Sequence, residues 1–260
     1  MKIYILADME GISGIRLMAQ VKSDSPAEYA EGKRLMMQDI NAAIDGAFLG
    51  GATEVIAADT HGGGGQVQIG EMDPRAIYEM PAVGEMMPSL DETFAGVILL
   101  GHHAHAGTIN GFLDHTMDSS AWFEYRINNQ VLGAIGIEAA YAAHWNVPVI
   151  MVSGDEAACA EAKHDLGAVE TATVKWGTGR NKARCLPLPK AHDVIREAAK
   201  RAVERAKSFK PFKPTLPATL QLTLYRSDMA DGFVGKPGVE RVDARTVRKT
   251  IKTLRDACRW

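Results

Sequence analysis

Carboxylate and imidazole side chains, which are common metal ligands, follow three short apolar runs in this sequence. The runs are residues 3–7, 55–58 and 97–101, and the residues after them are Asp8 and Glu10, Asp59 and His61, and His102, His103 and His105. Short β-branched runs bounded by glycine or polar residues are typical of buried strands. Ligands of open α/β sheets bind beyond the carboxyl ends of the strands, so these side chains are predicted to converge at one sheet edge. The ligand types suit zinc or a similar divalent ion, and more than one such ion.

A parallel α/β sheet is the architecture that would bring these residues together. Between the first two runs, apolar residues at helical spacing predict a helix that begins after Ser25 and ends at Gly50. Ser25 and Glu28 form a capping-box pattern, with proline at the first helical position. Strand, helix and strand in succession indicate a βαβ unit with parallel strands. The elements predicted further along are a helix after Gly133, a strand over 149–152, a helix over 157–163 and a strand over 172–175.

The C-terminal part of the chain is predicted to form a smaller domain. Prolines lie on both sides of a helix predicted over about 191–207. After it we predict a strand over 219–224, a short helix, another strand and a final helix over 244–257. The predicted fold is a three-layer α/β domain with a mostly parallel sheet over residues 1–185, followed by a smaller α+β domain over 186–260.

Composition and charge restrict the class of protein. With 260 residues, 46% hydrophobic and 23% charged, the chain can bury one large core or two unequal domains. The net charge is −3 and no apolar stretch is long enough for a membrane span, so we expect neither nucleic-acid nor membrane partners. The sequence starts without signal-peptide features, and its three cysteines are widely spaced without a CxxC motif. We therefore expect a cytoplasmic protein with reduced thiols.

Several motifs over roughly the first two thirds of the chain resemble those of the zinc-dependent D-aminopeptidases of bacterial dipeptide operons. They are Asp-Met-Glu-Gly-Ile-Ser-Gly at 8–14, Asp-Thr-His at 59–61, Leu-Asp-Glu-Thr-Phe at 90–94, Gly-His-His-Ala at 101–104, Asp-His-Thr-Met at 114–117 and Val-Pro-Val at 147–149. Beyond about Lys190 the resemblance is weak. Because several motifs occur in the family's order, the match is more specific than any one of them.

The resemblance implies roles for individual residues. In the family's pattern Asp8 bridges two zinc ions about 3.5–4 Å apart, and Glu10, His61 and His103 are terminal ligands. His115 falls on the family's catalytic position, as nucleophile or as acid–base group. The implied activity is aminopeptidase hydrolysis of short peptides with N-terminal D-amino acids. The implied assembly is a high-order homo-oligomer with internal active sites.

The chemistry of His115 leaves its exact role open. Histidine titrates near neutral pH and therefore suits proton transfer. Zinc lowers the pKa of a bound water to near 7, so a metal-activated water is an equally suitable attacking group. We expect His115 to be catalytic in one of these schemes; the simpler alternative is a surface histidine.

One position departs from the family's pattern. The family has a metal-binding glutamate directly after Gly133, where this chain has Ala134, and Glu138 follows four residues later. On a helix, positions 134 and 138 share a face about 6 Å apart along the axis, so Glu138 is predicted to be the replacement ligand. The alternatives are a site that lacks one ligand and a surface glutamate without a metal.

Other polar residues near the strand ends have more general predictions. Alternation places His102 and His105 on opposite faces, so we expect His102 to pack or to support a ligand, and His105 to face substrate or solvent. Asp59 is expected to hold His61 or a metal-bound water. The four glycines at 62–65 are expected to form a mobile flap or a flexible loop.

Other functions fit the same residues. A metal-dependent amidase with a different amide substrate is favoured by the change at Ala134. A metal-stabilised binding protein without turnover is disfavoured by the presence of His115. A calcium-dependent nucleoside hydrolase would need a denser aspartate cluster after the first strand.

Overall fold

The computed structural model of the protein describes residues 1–81 and 85–260. Its strands are β1 (Lys2–Ala7), β2 (Glu54–Asp59), β3 (Ile77–Tyr78), β4 (Phe94–His102), β5 (Trp122–Ile127), β6 (Gln130–Val131), β7 (Val149–Asp155), β8 (Glu170–Gly179), β9 (Lys182–Cys185), β10 (Ala218–Leu224), β11 (Glu240–Arg241) and β12 (Thr246–Ile251). Its helices are α1 (Pro26–Leu49), α2 (Ala134–Ala143), α3 (Glu156–Leu166), α4 (Leu188–Glu204) and α5 (Ser227–Asp231).

The first sheet is mostly parallel, with the order β3-β2-β1-β4-β7-β8-β9. All its neighbouring strands pair in parallel except β9, which runs antiparallel to β8. The carboxyl ends of β1, β2 and β4 therefore lie next to one another at one edge. The predicted α/β fold with a mostly parallel sheet is confirmed.

Both faces of this sheet are covered by helices. Ile3 and Ile5 of β1 pack in one core with residues of α1 and α4, whereas Tyr4 and Leu6 pack in a second core with residues of α2 and α3. A strand that is buried on both faces needs apolar residues at successive positions, which is why β1 reads as a continuous apolar run.

Helix α2 is buried along its whole length because it lies between two sheets. Ile135 and Ala139 pack towards the first sheet, and Ile137 and Ala140 pack against residues of β5 and β10 in the second. A helix that is hydrophobic all round is typical of such a position. A charged residue on it, such as Glu138, is therefore held inside the protein.

The second sheet, β11-β12-β10-β5-β6, does not follow the predicted division of the chain after residue 185. Strands β5 and β6 precede that point, yet β5 pairs with β10. Helix α4 follows it, yet packs closely on α1. Elements thus cross the predicted boundary in both directions, and the division into two domains stays a prediction.

The final helix predicted over 244–257 is wrong. Strand β12 occupies this segment and pairs antiparallel to β10, followed by a short 3₁₀ turn at Leu254–Asp256. The β-branched residues Thr246, Val247 and Ile251 suit a strand that buries one face.

The helices predicted from periodicity are confirmed with small differences. Helix α1 begins after Ser25, but the predicted capping box is not formed, because the Ser25 side chain makes no hydrogen bond to the helix. Helix α4 ends at Glu204 rather than near Lys207. Within the described ranges, no helix has the length and apolar character needed to cross a membrane.

Two glycines allow α1 and α4 to approach closely. A Cβ atom added at Gly46 would lie 2.2 Å from the carbonyl oxygen of Arg196, and one added at Gly50 would lie 2.6 Å from that of Lys200. The atoms that would be struck belong to the backbone, so a side-chain rotation cannot relieve the clash.

We predict that Gly46→Ala destabilises the protein although alanine is the better helix former. The gain in helix propensity is about 1 kcal/mol, whereas overpacking against a helix backbone costs about 1–3 kcal/mol. Urea unfolding at fixed protein concentration measures the difference. Gly70→Ala is the matched control, because no atom lies within 4 Å of its added Cβ. A Gly46→Ala variant more stable than the wild type would contradict this account of the helix pair.

Candidate metal centre

The ends of β1 and β4 approach each other through glycines. Gly11 N donates to Gly101 O at 2.7 Å, and Asp8 N donates to Leu100 O at 2.8 Å. A Cβ added at Gly11 would lie 2.2 Å from the carbonyl oxygen of His102, so a larger residue cannot occupy this position. Gly101 has a φ of +71°, a conformation that favours glycine. This close contact brings Asp8 beside His103.

Three of the predicted ligands form a compact group. The ligand atoms of Asp8, Glu10 and His103 all lie within 4.8 Å of one another, and within residues 1–81 and 85–260 this is the one such group of three or more metal-binding side chains. His103 Nε2 lies 3.3 Å from Asp8 Oδ2. All three residues are buried, with 6%, 5% and 1% of their surface exposed, respectively. Carboxylate and imidazole ligands in this combination suit a zinc ion.

His61 lies next to this group. Its Nδ1 is 3.1 Å from Asp8 Oδ1 and 3.2 Å from Glu10 Oε2, and its Nε2 is 2.9 Å from Val21 O. Because a carbonyl oxygen only accepts, Nε2 carries a hydrogen and Nδ1 is the nitrogen presented to the carboxylates. Metal-binding histidines are commonly oriented by such a bond on the other ring nitrogen.

His103 and His115 have the same kind of backbone support. His103 Nδ1 lies 3.1 Å from Ala104 O, which leaves Nε2 facing Asp8. His115 Nδ1 lies 2.9 Å from Leu113 O, which leaves Nε2 as the free nitrogen of the neutral ring. The two rings stack with centroids 3.7 Å apart and planes inclined by 17°. The predicted catalytic residue is therefore in contact with a predicted ligand.

The charges of the group favour a bound cation. Burial alone would raise the pKa of Asp8, but hydrogen bonds with His103 and His61 hold it well below its usual range. Burial alone would lower the pKa of both histidines, yet the neighbouring carboxylates raise that of His61 to about 12 and that of His103 to about 9. Protons on the imidazoles thus balance the negative charge of the carboxylates, as a bound metal ion would do in their place.

The pKa of His115 shifts in the opposite direction. Burial lowers it, and the positive charge on His103 lowers it further. His115 is thus favoured as a neutral imidazole, the form that can accept a proton.

Glu138 is not one of the three residues of the compact group. It is 1% exposed, and its Oε2 lies 2.5 Å from His102 Nε2. His102 is thus in contact with a predicted ligand, and the ligand role of Glu138 stays a prediction.

A cavity of about 560 Å³ opens at this edge of the sheet. Its wall contains every residue predicted as ligand or catalyst: Asp8, Glu10, His61, His103, His115 and Glu138. Ala134 lines it as well, so the position of the family's glutamate faces the same space. The structure therefore brings all six residues to one cavity.

Asp59 contacts the glycine loop; the mobility expected of that loop, and the expected contact of Asp59 with a metal-bound water, stay predictions. Asp59 Oδ2 accepts backbone N–H groups from Gly65, Gln66 and Val67 at 3.2–3.3 Å, and it accepts the Tyr78 hydroxyl at 2.9 Å. Asp59 therefore orders the loop instead of contacting His61. Four successive glycines with positive φ values at 62–65 give the loop its tight path.

The sequence analysis did not identify the backbone acceptors of the site or one buried lysine beside it. The carbonyls of Val21 and Leu113 orient His61 and His115, and no side-chain pattern reveals a carbonyl position. Lys175 lies inside the predicted strand over 172–175, where a charge between apolar residues was an available signal. His105 and Glu161 line a second cavity, where Glu161 Oε2 accepts the backbone N–H of His105 at 2.7 Å.

Comparisons with known proteins agree with this geometry. The family model described as D-aminopeptidase matches residues 1–260. A D-aminopeptidase from Bacillus subtilis (strain 168) is 32% identical over 260 residues, which cover 99% of this chain and 94% of the relative. The solved structure of the Zn-dependent D-aminopeptidase DppA from Bacillus subtilis, described as a self-compartmentalizing protease, superposes with a TM-score of 0.94 at 32% identity, covering 99% of this chain and 94% of that one. This chain therefore belongs to the D-aminopeptidase family of peptide-bond hydrolases.

Proposed function

We propose that this protein is a zinc-dependent aminopeptidase that hydrolyses short peptides with N-terminal D-amino acids in the cavity beside β1 and β4. The observation that carries the proposal is the buried group of Asp8, Glu10 and His103, with His115 stacked on His103. Family membership and the Zn-dependent relative supply the reaction class and the metal.

The residues of the site fit zinc. Asp8, Glu10 and His103 would hold it, and His61 would join them through Nδ1, because Val21 O occupies its other nitrogen. We propose that these residues would hold two ions per subunit. When bound, zinc polarises the scissile carbonyl and supplies an activated water.

The protein's own groups have three tasks in this reaction. Leu113 O holds the ring of His115 so that Nε2 is available to accept a proton and return it to the leaving amine. Stacking on His103 fixes the distance of that ring from the ligand group. The cavity walls confine a short substrate, since a volume of about 560 Å³ admits a small peptide but no folded chain.

We also propose that the protein forms a high-order homo-oligomer. The support is the description of the DppA relative as a self-compartmentalizing protease and the TM-score of 0.94 between the two folds. In such an assembly, access to the cavity would be limited by the neighbouring subunits as well as by its own walls.

A metal-dependent amidase with another substrate is the second candidate. The observation that favours it is Ala134, which lines the cavity where the family has a metal-binding glutamate. Fewer or displaced ligands would change the space and charge beside the substrate. Turnover of paired substrates separates the two candidates.

We predict that the zinc-loaded wild type cleaves D-aminoacyl p-nitroanilides faster than the L-forms.

We also predict that His115→Ala lowers kcat by about 10²–10⁴ while the variant retains its zinc. Loss of a proton-transfer group slows the reaction without removing a ligand. The measurement is steady-state turnover together with metal analysis of the same samples. His164→Ala, at an exposed histidine of α3, is the matched control. Undiminished turnover by a fully metallated His115→Ala variant would remove His115 from the mechanism, and a preference for L-substrates would favour the amidase.

We predict that Glu138→Gln weakens the binding of one zinc ion, and that adding Ala134→Glu to this variant restores it. The physical reason is that both positions line the cavity, one helical turn apart on α2. Zinc stoichiometry and affinity, measured by competition with a chelator, give the answer. Glu156→Gln, an exposed glutamate at the start of α3, controls for loss of charge alone. Unchanged zinc affinity in Glu138→Gln would show that the carboxylate only pairs with His102.

A further inference from the structure

Lys175 is completely buried beneath the candidate metal centre. It lies on β8 with 0% of its surface exposed. Its Nζ donates to Glu10 O at 2.9 Å and to Ile15 O at 2.8 Å. The same ammonium lies 4.8 Å from the centroid of the Phe112 ring, on its face. Two carbonyls and one aromatic face thus receive the three N–H groups of a lysine.

These contacts reach both segments that carry the proposed chemistry. Glu10 and Ile15 belong to the segment that follows β1, which presents two of the proposed ligands. Phe112 precedes Leu113, whose carbonyl orients the ring of His115. Phe112 N also donates to Asp155 Oδ2 at 2.8 Å, so the backbone at this point is held from two sides.

The buried charge of Lys175 has no direct carboxylate partner. Among the described residues, no carboxylate oxygen lies within 4.0 Å of Nζ. Its two hydrogen-bond acceptors are backbone carbonyls rather than carboxylates. Keeping a cation in such a place costs stability, which apolar residues of similar size would avoid.

We propose that Lys175 is a positioning residue of the metal centre: through Glu10 O and Ile15 O it fixes the ligand segment, and through Phe112 it fixes the segment of His115. This inference rests on the proposed zinc-dependent hydrolysis. This positioning role would account for a buried charge that costs stability. A ligand set held by packed neighbours binds its metal more tightly than one that must be ordered on binding.

The first test replaces the lysine by an uncharged side chain of similar length. Lys175→Met removes both hydrogen bonds and the charge, and we expect zinc affinity to fall by about 10–100-fold, as it does when a group that supports a ligand is lost. Chelator competition measures affinity, and thermal unfolding of the zinc-free protein measures stability separately. Lys182→Met, at an exposed lysine of the adjacent β9, is the control. A lower unfolding temperature with unchanged zinc affinity would mean that Lys175 is only structural and would overturn the proposal.

A second test addresses the contact with the His115 segment and does not depend on the folding of Lys175→Met. Phe112→Leu keeps an apolar core residue but removes the ring face. We expect kcat at saturating zinc to fall at least about tenfold, with zinc affinity within about twofold of wild type, since small displacements of a catalytic group are costly. Phe209→Leu, at another buried phenylalanine, controls for lost volume. An unchanged kcat in Phe112→Leu would refute this part of the proposal. A wild type without zinc or turnover would instead refute the proposed function.

Discussion

Two carboxylates, Asp8 and Glu10, are buried within the same group of ligand atoms. This edge of the sheet can hold both side chains in this arrangement only if their mutual repulsion is balanced. Like charges in a site with little water repel strongly unless a cation or a proton lies between them. The imidazoles of His61 and His103 supply this balance through their contacts with Asp8. A zinc ion would replace those protons, so the metal and the imidazoles serve the same electrostatic need.

The segment after β1 can hold these charges because its backbone is fixed by buried polar contacts. Gly11 N binds Gly101 O, Ser13 N donates to Asp39 Oδ2 at 2.8 Å, and Lys175 holds two carbonyls. Each contact also satisfies a backbone group that would otherwise be buried without a partner. Rigidity of the ligand segment and hydrogen-bond satisfaction are therefore achieved by the same contacts.

The sequence predicted the parts of the fold that depend on local patterns. Apolar runs followed by ligand residues identified β1, β2 and β4, because parallel strands place their carboxyl ends at a common edge. The second sheet was beyond such reasoning, since β5 pairs with β10 across about ninety residues of chain. The error over residues 244–257 has the same origin, because pairing with β10 decides the structure of β12. At the site, ligand types were predictable, whereas carbonyl partners and the pairing of His102 with Glu138 depend on long-range packing.

The position of α2 explains why a carboxylate at either of two positions, one helical turn apart, would face this site. The helix is fixed on both sides by apolar contacts with two sheets, so its orientation does not depend on the polar residues that it carries. Residues 134 and 138 therefore keep a common facing direction, and both line the cavity. A glutamate at 138 starts deeper along the helix and needs a partner there, which His102 provides. Glu138 on α2 and His102 at the end of β4 therefore form one buried unit, which fixes the direction of the carboxylate that α2 carries into the cavity.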